Sequence, residues 1–86
     1  MASPPDAREA TLALLALRAA EATICPSEVA RVLAASGGAA TWREMMPVVH
    51  DAVDRLVAER RVKLSWKGKT LAARQGPYRI GRGERG

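Results

Sequence analysis

Apolar positions recur three and four residues apart over 41–61. Trp42, Met45, Met46, Val49, Val53, Leu56 and Val57 fall on one stripe about 100° wide, which predicts an amphipathic helix. Thr41 followed by Glu44 reads as a capping box, with the hydroxyl accepting from a backbone amide and the carboxylate reaching back. Arg60 and Arg61 stand near the far end, where the helix dipole favours positive charge. Pro47 lies inside the pattern, and its ring opposes the carbonyl of Arg43. The expected result is a continuous helix bent near 44–46.

Upstream the pattern is also helical. A first helix is expected over 6–22, capped by Ser3 or Asp6, with Pro4 and Pro5 where missing amide donors cost little. Leu12, Leu14, Leu15 and Leu17 wrap more than half of it, which assigns them to the core, with a dimerisation face as the alternative. Thr23 and Ile24 form a β-branched pair able to make one or two ladder pairs with a later hairpin. A second helix opens at Cys25-Pro26-Ser27-Glu28, turns Val29, Val32 and Leu33 inward, and ends at Ser36-Gly37-Gly38.

At Val62 the period drops to two. Val62, Leu64 and Trp66 point one way, and Lys63, Ser65 and Lys67 the other. Two hairpins fit. A tight turn at Lys67-Gly68 pairs Leu64 with Leu71, and a longer connection over 68–76 pairs 62–67 with 77–80. The longer one is preferred, because Leu71-Ala72-Ala73-Arg74 is weak strand material. The fold class is therefore mainly α with a small β-hairpin, a winged helix-turn-helix. Residues 6–82 form the domain, 1–5 a disordered lead and 83–86 a frayed tail. The turn over 36–40 joins the helix pair, and 68–76 is the wing.

The segments ICPSEVAR (24–31), WREMMP (42–47), KGK (67–69) and GPYRI (76–80) resemble the signature of a small bacterial family of unknown function with a winged-helix fold. The resemblance covers roughly 6–82. It implies the fold and brings no activity with it.

Composition narrows the chemistry. Eighty-six residues make one domain, and seventeen alanines suit close helix packing. A single cysteine excludes an internal disulfide framework and a multi-cysteine zinc site, and a single histidine leaves little for a transition metal. The start lacks a secretory pattern, and the apolar run over 10–17 falls well short of the ~20 residues needed to span a bilayer. A cytoplasmic location without membrane contact is expected. Charge is strongly divided. Residues 1–59 carry five arginines against eight acids, whereas residues 60–86 carry nine cations against Glu84 alone. Such a field points to a polyanion partner or to a solubilising surface.

Double-stranded DNA is the leading expected partner, and a protein-interaction or dimerisation module is the competing one. The candidate contacts are Arg43, at the start of the third helix, and Lys63, Lys67, Lys69, Arg74 and Arg79, expected along one side of the wing. Glu44, Asp51 and Asp54 share the exposed face of that helix and argue against ordinary base reading. Parity assigns Trp66, like Trp42, to the core rather than to base stacking. Cys25 at a helix start has a physical route to reactivity, yet a buried cysteine acting as a weak cap is simpler. His50 and Ser27 read as ordinary helix residues. With no glycine-rich phosphate loop, paired metal ligands or catalytic triad in the sequence, neither an enzyme, a cofactor nor a small-molecule substrate is expected.

Overall fold

The structure, a computed structural model, describes residues 4–37 and 41–83. Three helices are followed by strands that complete a four-stranded antiparallel sheet, the arrangement of a winged helix: α1 Pro4–Ala16, β1 Thr23–Ile24, α2 Pro26–Gly37, α3 Trp42–Ala58, β2 Val62–Trp66, β3 Lys69–Leu71 and β4 Arg79–Arg82. Of the expected lead over 1–5, turn over 36–40 and tail over 83–86, residues 1–3, 38–40 and 84–86 lie outside the described residues, and Pro4 and Pro5 belong to α1 rather than to a lead.

Helix α1 buries Ala7, Thr11 and Leu15, one residue per turn at a spacing of four. Thr11 is fully buried and stays satisfied by donating its hydroxyl to the Ala7 carbonyl at 2.7 Å. The helix ends six residues before the expected Ala22. Its last turn tightens into three-residue bonds, Leu17 to Leu14 and Arg18 to Leu15. The guanidinium of Arg82 donates to the Leu15 and Arg18 carbonyls, both at 2.9 Å, and so caps the end. Leu17 falls past that cap and is 77% exposed, which corrects its assignment to the core.

Helix α2 opens as its sequence suggests. Pro26 takes the first position and Glu28 accepts from the Cys25 amide at 2.7 Å, one half of a capping box. Its inward stripe is Val29, Ala30 and Leu33, with Val32 left partly exposed. Helix α3 runs unbroken through Pro47 and buries Val49, Ala52, Val53 and Leu56. Thr41 precedes it in extended backbone without a side-chain cap bond, so the expected capping box does not form there. The helix closes on Arg60 in the left-handed region (φ 61°). Arg61 N–H donates to the Leu56 carbonyl and Arg60 N–H to that of Val57. That is a Schellman closure with arginine where glycine is usual.

The sheet order is β1-β4-β2-β3. Both hairpins weighed from the sequence exist at once. Leu64 faces Leu71 across the tight turn and Ile80 on its other side. Strand β4 begins and ends two residues beyond the expected 77–80, so that Gly81 and Arg82 are paired with Lys63 and Val62. The expected 68–76 wing is therefore a two-residue turn, a short strand and a loop over 72–78. Ile24, Leu64 and Ile80 stack on one face as adjacent partners and meet the helices there. At Gly83 a Cβ would collide with the Arg60 carbonyl oxygen.

Candidate nucleic-acid interface

The β2–β3 hairpin projects its cations from a rigid base. Its turn residues Lys67 and Gly68 have φ of 52° and 82°, the twist-matched geometry of a two-residue hairpin. Glycine adopts this at no steric cost, whereas lysine pays for its Cβ. A lysine thus stands at the tip where asparagine or glycine would suit the backbone better.

Trp66 and Lys69 face each other across this turn. Trp66 keeps the parity of the buried Val62 and Leu64, as expected. Even so it is 38% exposed, because the strand runs past the helices that cover its earlier residues. This corrects its assignment to the core: the indole is an exposed ring among lysines. Lys63, Lys67 and Lys69 are all exposed, and among the described residues none of them has an ion-pair or side-chain hydrogen-bond partner.

The six expected contact residues do not line one side. Lys63 and Arg79 share the sheet face away from the helices, since Lys63 and Ser65 alternate with the buried Val62 and Leu64 along β2 and Arg79 is the partner of Ser65. Lys69 shares a face with Trp66. Arg79 is engaged, donating from Nε to the Thr23 hydroxyl at 2.8 Å and from its terminal nitrogen to the Thr23 carbonyl. Arg74 leaves the hairpin altogether and forms a two-pronged pair with Asp54 of α3, at 2.9 and 3.0 Å. Arg43 rests with its guanidinium 4.9 Å from the centroid of Trp42. Period-two reading placed β2 correctly, but it had no means of seeing that the 72–78 loop folds back onto α3.

That loop alters the helix it covers. Tyr78 is buried, and its hydroxyl lies 2.7 Å from His50 Nδ1. Burial pushes the Tyr78 pKa upward, so the hydroxyl keeps its proton and shares a hydrogen bond with the imidazole whose direction follows the His50 tautomer. Burial also lowers the His50 pKa, aided by the charge of Arg74 and opposed by Asp54. The Arg74 hydrogen bond holds the Asp54 carboxyl below its usual range. Asp51 pairs with Arg55 at 3.4 Å and Glu59 with Arg8 at 2.6 Å. The acidic face of α3 is largely neutralised from within, and its middle lies under a loop. A groove-reading helix needs that face open.

The two groups predict how stability follows pH. His50 has a folded pKa below its ordinary 6.5, so between the two values the unfolded chain binds more protons. Stability should fall as pH drops through that window. The Asp54 contribution persists to lower pH and is lost below its ordinary 3.8. Urea midpoints measured at pH 7.5, 6.5 and 5.5 should decline, and His50→Gln should flatten this first decline. An unchanged slope in the variant would remove His50 as its cause.

Other chemistry-bearing groups are quiet. Cys25 Sγ lies 3.0 Å from the Ser27 hydroxyl and is half-buried. Among the described residues no group of three or more His, Cys, Asp and Glu side chains is placed to hold a metal, and no helix is long and apolar enough to cross a membrane. A hollow of ≈ 260 Å³ lies on the open sheet face over Gly81, between Thr23, Lys63, Ser65 and Thr70.

The family model described as "Protein of unknown function (DUF3253)" matches residues 4–83. No curated protein matches the chain.

Proposed function

Because the chain belongs to the DUF3253 family of proteins of unknown function, and family membership carries no activity, we propose from the site alone that it is a DNA-binding module working through its β2–β3 hairpin. The supporting observation is the tip itself: an exposed Trp66 next to Lys67 and across from Lys69, with Lys63 on the other face of the same strand. Lysines of this kind neutralise phosphates without regard to sequence, and an exposed ring offers a surface on which an unstacked base can lie. Holding a lysine in left-handed backbone at the turn costs the fold something, and an outward charge is what the position gains. Helix α3 has the lesser part, its carboxylates mostly paired and its middle covered.

A binding role rather than catalysis accords with His50 being occupied by Tyr78 and Cys25 facing a hydroxyl instead of a base. A cytoplasmic setting, where DNA is within reach, goes with this reading, and neither a small-molecule substrate nor a cofactor enters it.

The test is fluorescence anisotropy with a random-sequence 20-base-pair duplex at several salt concentrations. Three lysines each neutralising one phosphate give a slope of log affinity against log salt of about −2.7 or steeper. Absence of binding at low salt would reject the proposal. The second reading, a docking or dimerisation module, has Leu17 in its favour, exposed over 77% of its surface. A mass that rises with protein concentration in light scattering, together with no DNA binding, would favour it.

A further inference from the structure

We infer that Arg31 of α2 and Arg43 of α3 form a second grip on the DNA backbone, separate from the hairpin and held in readiness by Trp42; this rests on the DNA-binding reading above. Both guanidinium carbons lie 4.9 Å from the centroid of the same indole, within the range of a cation–π contact. Both side chains are exposed, and among the described residues neither is paired with a carboxylate. The other helical arginines differ: Arg8 is paired with Glu59 and Arg55 with Asp51. The nearest acid in sequence, Glu44, is the next residue along α3 and is turned about 100° around the helix from Arg43.

Two like charges gathered on one ring repel each other, and a shared or adjacent anion relieves that repulsion. The indole also fixes two long side chains before any ligand arrives, so less rotamer freedom remains to be lost on binding. A guanidinium presents paired donors that match the oxygens of a phosphodiester. The two residues belong to the two helices of the helix-turn-helix, the element whose first helix crosses the backbone and whose second begins at the groove edge. Arg31 was not among the residues singled out from the sequence. Its spacing on α2 marks it only as solvent-facing, and nothing local announces that Trp42 lies beside it.

The same duplex titration decides the matter. With each arginine adding one phosphate to the three lysine contacts, the wild-type slope should be about −4.5, and Arg31→Gln/Arg43→Gln should flatten it to about −2.7. Arg31→Lys/Arg43→Lys keeps the charge and should restore most of the slope at a several-fold loss of affinity. A fold-related effect would not distinguish lysine from glutamine in this way, and far-UV circular dichroism checks that both variants are folded. If the wild type binds and the glutamine variant keeps the full slope, this grip does not exist while the hairpin reading stands. If the wild type does not bind at all, both fall together.

Discussion

Reversing Lys63, Lys67 and Lys69 to glutamate should abolish measurable DNA binding at physiological salt and leave the fold standing. All three side chains are exposed and unpaired, so reversal strands no buried partner. Surface changes of this kind usually move stability by less than about 0.5 kcal/mol each. Each lysine lost withdraws a phosphate contact and its released counterion, and each glutamate added repels the backbone. Trp66→Ala isolates the ring. On a single-stranded 20-mer, whose bases are free to stack, it should weaken binding by about 1–3 kcal/mol, roughly five- to more than a hundredfold, with an unchanged salt slope, because stacking releases no counterions. Binding by the triple reversal within threefold of wild type would show that the hairpin is not the contact surface.

The second large effect is on the fold. Ile80 is fully buried, and it lies between Ile24 of β1 and Leu64 of β2 in the middle of the sheet. Ile80→Ala removes three carbons at a point where strands on both sides and the helices above limit collapse of the cavity, a loss of about 2–5 kcal/mol. A domain of this length holds roughly 4–13 kcal/mol in all, so the variant should melt at least ~10 °C lower and sit near the edge of folding. Val32→Ala, on the exposed side of α2, is the control and should shift the melt by only a few degrees. A melt within 2 °C of wild type for Ile80→Ala would mean that β4 does not carry the sheet.

How much of this was legible depended on where each signal lay. The stripe of α3 and the start of α2 are local patterns, and residues 26–33 and 42–57 took their predicted helical places, with Val32, expected inward, the exception on the exposed side of α2. Where a distant group decided, local reading failed. The stop of α1 is fixed by Arg82, sixty-seven residues away from Leu15, so the helix read too long and Leu17 was placed in the core. The stop of α3 uses arginine in a glycine position, and only the change of period at Val62 betrayed it. The two hairpins looked like alternatives, although a central strand has two edges and Leu64 uses both. The basic character of the 60–86 segment was plain, but its direction was not. Which cations are spent depends on Asp54 and Thr23, which approach from α3 and β1. The ring at Trp66 was misplaced for a related reason: parity gives the face of a strand and says nothing about how far the covering helices extend.

The position of β4 between β1 and β2 has a consequence for how the protein is made. The ribosome releases α1, β1, α2, α3 and β2 in turn, yet β1 and β2 have no shared neighbour until residues 79–82 emerge. Until then the apolar faces of Ile24 and Leu64 lack the Ile80 that joins them, and α1 lacks the arginine that closes its end. Helices form locally on the nascent chain, but the domain gains its strength in one late step. Chaperone contact during synthesis would therefore concentrate on the first two strands and cease abruptly when the last one enters.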